Sequence, residues 1–185
     1  NGSTGSPSRA QSRDEIRFMN DASRITSDER RSTLHDARFQ RLQAAYFERA
    51  DEQKFLWQTS DAYLAETERR LLTHVPIRLG DRVLEVGCGE GGNLHLLSVA
   101  RPGTVGVDLS RPKVGWAGKT LGAGAFLCSD AVRLPFRDGS FDVVLCRDVL
   151  HHVRAKQEVV AELFRVCRPD GRLIVIEPNG RNPIM

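Results

Sequence analysis

Short apolar runs and helical patterns alternate along the second part of the chain, from residue 79 to residue 185. The runs are rich in Val, Leu, Ile and Phe, as expected of strands buried on both faces of a parallel sheet. They predict strands at residues 83–86, 104–107, 125–128, 141–146 and 172–177. Apolar residues at helical spacing predict helices at 92–100, 111–121 and 157–167. This order predicts an α/β fold, with a mostly parallel sheet between two layers of helices.

The part of the chain before residue 79 has a different pattern. Residues 1–13 are rich in Ser, Gly and Arg and contain no acid, so we expect residues 1–28 to be flexible. Aromatic and leucine residues then recur at spacings of three and four, which predicts a helical extension over 29–78. This extension either packs against the sheet or forms a lid, with Tyr46 or Trp57 lining an acceptor pocket.

Composition narrows the class of protein. The chain has 185 residues, is 40% hydrophobic and carries a net charge of +3, with basic and acidic residues intermixed. We expect a soluble domain that neither spans a membrane nor binds nucleic acid. The four cysteines lack a C-x-x-C spacing, which predicts reduced thiols, a cytoplasmic location and no metal site.

A strand that ends in glycines is the strongest local signal. Gly87, Gly89 and Gly91 allow a tight turn that a ligand can approach closely. Asp108 lies 21 residues after Gly87, so the spacing also fits a dinucleotide site, and a turn without a ligand is the third reading. A carboxylate at Glu85 would repel a pyrophosphate and attract an ammonium group. Glu85-x-Gly87-x-Gly89-x-Gly91 therefore resembles motif I of the class I S-adenosylmethionine-dependent methyltransferases.

A second stretch resembles the same family more specifically. Residues 130–142 read Asp-Ala-x-x-Leu-Pro-Phe-x-Asp-x-Ser-Phe-Asp, which is similar to type 11 methyltransferases of small molecules. The resemblance implies a Rossmann-like fold, S-adenosyl-L-methionine as cofactor, and a small or medium organic acceptor. No Asn-Pro-Pro-Tyr motif follows the fourth strand, which argues against methylation of nucleic-acid bases or glutamine amides.

The resemblance also implies which residues bind the cofactor. They are Glu85, Gly87, Cys88, Gly89, Gly91, Asp108, Leu109, Asp130, Ala131 and Cys146. We expect Asp108 to accept hydrogen bonds from both ribose hydroxyls while Ser110 caps the next helix, although Asp108 could itself be the cap. Leu109 would lie against the adenine and Asp130 would accept from its amino group. The N–H of Ala131 would donate to a ring nitrogen, and Cys146 would face the methionine part.

Two adjacent histidines, His151 and His152, follow the fourth strand. One of them is a candidate general base on the acceptor side, although a packing role fits equally well. Because neighbouring residues on a helix diverge, we expect no shared metal ion. The predicted reaction is methyl transfer by in-line displacement. The alternatives are a domain that binds S-adenosylmethionine without transferring its methyl group and, less favoured, a nicotinamide oxidoreductase.

The end of the chain carries one further expectation. Sheets of the resembled family continue past strand five with a helix and a β-hairpin, whereas eight residues separate Ile176 from Met185. The apolar strand at 173–176 would then be an open sheet edge. We therefore expect the C-terminal strands to be missing from this sequence, or the edge to pair with another chain.

Overall fold

The structure is a computed structural model that describes residues 38, 41, 42, 45, 62–97 and 102–178. By its internal contacts the chain divides into residues 1–42 and 43–185. In the first unit, residues 38, 41 and 42 are helical. Tyr46 and Trp57, predicted to line an acceptor pocket, lie outside the described residues, as does the segment 1–28. The elements below all belong to the second unit.

Helices and strands occur close to the predicted positions. The helices are α1 (Ala62–Leu72), α2 (Gly92–Leu96), α3 (Arg111–Leu121) and α4 (Lys156–Val166), with a 3-10 turn at Leu150–His152. The strands are β1 (Val83–Val86), β2 (Thr104–Asp108), β3 (Ala125–Cys128), β4 (Phe141–Arg147) and β5 (Cys167–Ile176). Helix α3 forms over its full predicted length although it contains two glycines. Within the described residues, no helix combines the length and apolar character needed to cross a membrane.

The described strands form one sheet in the order β3-β2-β1-β4-β5. Every neighbouring pair is parallel, which confirms the predicted α/β fold. Because all strands point the same way, their carboxyl ends meet at one edge of the sheet. Ligands of open parallel sheets bind outside this edge, beside the central strands. Strands β1 and β4 are therefore the elements that position the candidate site.

Alternating side chains of the central strands produce the three layers. Leu84 and Val144 belong to a buried cluster that includes the apolar side of α4. On the other face, Val83 packs with Leu94 of α2, and Leu145 packs with Leu72 of α1. Side chains at successive strand positions point to opposite faces, so each central strand contributes to the core on both faces of the sheet. The sheet is thus covered by helices on both sides.

The junction between α4 and β5 differs from the prediction. The predicted helix at 157–167 and strand at 172–177 leave residues 168–171 between them, but strand pairing already begins at Cys167. Phe141 pairs with Cys167 and Val143 pairs with Arg172, so four residues of β5 bulge opposite one of β4. Beyond the bulge, β5 is an edge strand in the part of the sheet that the structure describes. Pairing of this edge with another chain stays a prediction.

Candidate active site

Asp108 connects the glycine turn to the end of β2. Its Oδ2 accepts a hydrogen bond from the N–H of Gly89 at 2.9 Å, and its Oδ1 accepts one from the N–H of Ser110 at 2.8 Å. Ser110 occupies the N-cap position of α3, but its side chain makes no capping hydrogen bond. The expectation that Ser110 caps and leaves Asp108 free was wrong. Each oxygen of Asp108 keeps a second lone pair, so contacts with two ribose hydroxyls stay a prediction.

The three glycines of the turn have different surroundings. At Gly87, with φ +77°, an added Cβ would lie 2.1 Å from Cγ2 of Val149, and at Gly91 it would lie 2.5 Å from Cδ1 of Leu121. Protein side chains therefore fill the space that we expected a ligand to fill at these two positions. At Gly89 the nearest heavy atom is Cδ of Lys113, at 3.8 Å, so this side of the turn is open. A ligand can approach the backbone there.

Cys88 is enclosed by the fold. Its side chain is 5% exposed, and a Cβ at Gly106 would lie 2.8 Å from its sulfur. Burial holds the pKa of the thiol well above its ordinary value. Its N–H donates to the carbonyl of Val107 at 3.0 Å. Neither its thiol nor its N–H therefore faces an open site.

A chain of buried polar side chains lies beneath the turn. Oε1 of Glu85 accepts a hydrogen bond from Nδ2 of Asn93 at 2.5 Å. Oδ1 of Asn93 accepts one from Nη1 of Arg147 at 3.0 Å, and the same Nη1 lies 2.5 Å from Oε2 of Glu68 on α1. All four side chains are buried. The network thus links the helical extension to the glycine turn through the end of β4.

Glu85 is the end of this network that lies below the glycine turn. Its side chain is fully buried, and burial raises the pKa of its carboxyl to about 8, although the hydrogen bond from Asn93 opposes the shift. Among the described residues no donor reaches Oε2. We expected an ionised carboxylate beside the turn, whereas the structure places a largely protonated one below it at neutral pH. A cationic amino group nearby would favour the ionised form of Glu85, and its contact with the amino group of S-adenosylmethionine stays a prediction.

The residues predicted around the adenine lie after β2 and β3, which are neighbours in the sheet. Leu109 is partly buried, and its carbonyl accepts a hydrogen bond from the thiol of Cys128 at 3.4 Å. Oδ1 of Asp130 accepts from the N–H of Val132 at 3.1 Å. Ala131 is partly buried and packs against the core. The structure brings these residues to the same edge as the glycine turn, and their contacts with adenine stay predictions.

Cys146 lies near the end of β4, as predicted, but its side chain does not face this edge. It is fully buried in the cluster that includes α4. Burial is also the largest cause that raises the pKa of its thiol to about 12. Only the backbone of Cys146 is therefore placed to contact the methionine part of a cofactor.

The histidines lie in the 3-10 turn after β4. Nδ1 of His151 is 2.7 Å from Oε2 of Glu177, the residue that follows β5. The rings of His151 and His152 have their centres 3.9 Å apart. The expectation that these side chains diverge was wrong, because the turn is not an α-helix. Within 62–97 and 102–178, no three side chains of the metal-binding types are grouped closely enough to hold an ion.

Sequence reasoning gave no role to Asn93, Glu68 and Glu177, and it expected Arg147 to face the cofactor without predicting its buried ion pair with Glu68. Arg147 and Glu177 end or directly follow parallel strands, and polar residues at that position are a usable sign of a site. Glu68 carries no such sign, because it lies in a helix rich in charged residues. Asn93 also looks like an ordinary residue of a helical first turn.

Comparisons with known proteins agree with this geometry. A methyltransferase domain family matches residues 84–175. The 27-O-demethylrifamycin SV methyltransferase of Amycolatopsis mediterranei is 34% identical over 128 residues, which cover 63% of this chain and 47% of that protein. The phthiotriol/phenolphthiotriol dimycocerosates methyltransferase 1 of Mycobacterium ulcerans is 38% identical over 119 residues, which cover 62% of this chain and 44% of that protein. The chain thus spans about half the length of the curated relatives it matches.

A comparison with a solved structure supports the fold assignment. The SAM-dependent methyltransferase of Thermotoga maritima matches with a TM-score of 0.60 and 25% identity, covering 71% of this chain and 60% of that one. This similarity, together with the parallel sheet and its helices on both faces, confirms the Rossmann-like three-layer fold. The domain match and these relatives favour neither a dinucleotide site nor a turn without a ligand. The chain therefore belongs to the class I methyltransferases, the family that uses S-adenosyl-L-methionine as its methyl donor.

Proposed function

We propose that this chain transfers a methyl group from S-adenosylmethionine to a small or medium organic acceptor by in-line displacement. The observation that carries the proposal is the open side of the glycine turn at Gly89, where the nearest protein atom is 3.8 Å from an added Cβ. Asp108 fixes this turn from one side, and Glu85 lies below it with an oxygen that lacks a donor among the described residues. When bound, the cofactor supplies an electrophilic methyl group on a positively charged sulfur.

The protein itself would bind the cofactor and the acceptor, orient them for the reaction and exclude water from the site. Asp108 would accept from the ribose hydroxyls, and Asp130 from the adenine amino group. Glu85 would balance the amino group of the methionine part. The His151–His152 turn borders the same edge of the sheet, because Val149 directly contacts Gly87. We therefore propose that the acceptor binds on the β4–β5 side. A cytoplasmic location is part of the proposal and rests on the cysteine pattern.

Binding without transfer is the alternative of a different class, since a fold and a cofactor site do not fix the chemistry. Calorimetric titration with S-adenosylhomocysteine and with NAD tests the cofactor, and we expect only the first to bind. Release of a labelled methyl group to an acceptor then separates transfer from binding alone. Asp170→Ala is a suitable control for changes at Asp108, because Asp170 is an exposed acid in the β5 bulge. Binding of NAD but not of S-adenosylhomocysteine would refute the proposal.

A further inference from the structure

We propose that His151 is the general base of this site, that Glu177 is its positioning residue, and that the acceptor is a hydroxyl compound. The inference rests on the proposed function and adds which histidine acts, what orients it and which atom receives the methyl group. It comes from the contact between two side chains that stand 26 positions apart in the sequence.

Glu177 is held rigidly from several directions. Its Oε1 accepts hydrogen bonds from the N–H groups of Val149 at 2.8 Å and Leu150 at 2.7 Å. Its Oε2 lies 2.7 Å from Nδ1 of His151 and 3.3 Å from the backbone nitrogen of the same residue. Burial by itself would raise the pKa of Glu177, but these hydrogen bonds outweigh it and hold the pKa below its ordinary value. Glu177 is therefore a fixed anion at neutral pH.

This contact decides the state of the imidazole. A carboxylate can only accept a hydrogen bond, so Nδ1 of His151 must carry the proton. In the neutral ring the lone pair then belongs to Nε2, which becomes the proton acceptor. The arrangement is that of a base held in one tautomer by an acid, as in other general-base sites.

His152 is less suited to the role. Burial, and then the neighbouring His151, lower the pKa of His152, which makes it a weaker base. Glu177 directs its carboxylate to the ring of His151. The two residues before the turn are fixed, since Val149 packs on Gly87 and the N–H of Asp148 donates to the carbonyl of Ile176 at 2.9 Å. His151 is thus the histidine that Glu177 orients.

An oriented base points to an acceptor that must lose a proton in order to react. A neutral amine attacks with its own lone pair, and a thiol ionises readily, whereas a hydroxyl oxygen becomes a strong nucleophile only as its proton leaves. The hydroxyl proton would pass to Nε2 of His151 while an electron pair of the oxygen forms the bond to the methyl carbon. The carbon–sulfur bond breaks with its electron pair on sulfur. The proton then passes from His151 to water.

The first test needs no acceptor. Nitrogen-15 NMR of the imidazoles, in the complex with S-adenosylhomocysteine, should show His151 protonated at Nδ1 and not at Nε2. Glu177→Gln should shift the proton towards Nε2, whereas the control Glu158→Gln, an exposed acid of α4, should leave the spectrum unchanged. Protonation of His151 at Nε2 in the unaltered chain would overturn the positioning role of Glu177.

The second test uses phenol, cyclohexanol, 4-nitrophenol, benzylamine and thiophenol as acceptors. His151→Gln should slow methylation of phenol by about 10²–10⁴-fold, the usual contribution of a general base. It should affect 4-nitrophenol much less, because this phenol is largely ionised in mildly alkaline buffer. His74→Gln, at an exposed histidine beyond α1, is the matched control and should change neither rate.

The outcomes separate the two proposals. Tight binding of S-adenosylhomocysteine by all variants, together with transfer to none of the hydroxyl compounds, overturns the hydroxyl assignment and leaves the cofactor site standing. An equal loss for phenol and 4-nitrophenol in His151→Gln overturns its role as a base. Failure of the unaltered chain to bind S-adenosylhomocysteine overturns the proposed function itself.

Discussion

The two halves of the carboxyl edge of the sheet are built in different ways. On the β1–β2 side, backbone groups define the site: glycines with positive φ form the turn, and Asp108 holds it through the N–H of Gly89. On the β4–β5 side, pairs of side chains from distant segments define it, such as Arg147 with Glu68 and His151 with Glu177. A backbone site leaves a readable motif in the sequence, whereas a site made of distant pairs does not.

The largest effect is expected where the two halves touch, at Gly87. Gly87→Val should destabilise the fold by about 3–5 kcal/mol, because the side chain overlaps Val149 and the backbone has a positive φ. Urea unfolding measures this change. If the overlap is the cause, Gly87→Ala combined with Val149→Ala should cost less than the sum of the two single changes. A stable Gly87→Val protein would show that the halves do not depend on this contact.

On the β4–β5 side, Glu68→Ala should destabilise by about 2–3 kcal/mol. The change leaves the buried Arg147 without one of its anions, although Asn93 and Asp148 remain as partners. Glu66→Ala is the matched control on the same helix, since its pairs with arginines are exposed to water and contribute little to stability. Equal effects of the two changes would mean that the buried network adds nothing to stability.

On the β1–β2 side, Asp108→Ala should weaken binding of S-adenosylhomocysteine by about 2–3 kcal/mol, the range for hydrogen bonds to a charged group. The structure adds a second cause, since the same change releases the N–H of Gly89. Calorimetry measures the loss, and Asp108→Asn, which keeps one acceptor oxygen, should fall in between. Unchanged affinity in the alanine variant would remove Asp108 from the site.

The last difference between the two halves concerns pH. The pKa of Glu85 is raised by burial from 4.5 to about 8, so the folded state keeps a proton that the unfolded state loses in this range. Without ligand, stability should therefore fall as the pH rises from 4.5 to 8, and affinity for S-adenosylhomocysteine should rise as the carboxyl ionises. Glu85→Gln should flatten both trends and bind more weakly. Identical pH profiles in the two proteins would show that Glu85 does not titrate in this range.

The fold was largely predictable because its central strands are buried on both faces and carry apolar runs, such as residues 143–146. The glycine turn was predictable for a similar local reason. What the sequence did not reveal depends on contacts across the fold. Nothing in the sequence near Glu85 indicates that Asn93 will donate a hydrogen bond to its carboxyl group. The start of β5 likewise depends on the pairing of Cys167 with Phe141.

The sequence also does not reveal why each position of the turn requires glycine. The pattern marks three equivalent positions, but Val149 and Leu121 fill the space at Gly87 and Gly91, and only Gly89 has an open side. Val149 lies 62 positions from Gly87, so no local pattern reveals this contact. Distinguishing a glycine that packs from a glycine that admits a ligand required the structure.

The most direct test of the cofactor site is therefore the affinity of Gly89→Ala for S-adenosylhomocysteine, with urea unfolding of the same sample as its control. The added methyl group meets no protein atom closer than 3.8 Å, so stability should fall only by about 1–2 kcal/mol, the cost of a left-handed backbone at alanine. If the cofactor occupies this space, affinity should fall at least about tenfold, equivalent to about 1.4 kcal/mol. A folded Gly89→Ala protein that binds S-adenosylhomocysteine as tightly as the unaltered chain would contradict the account.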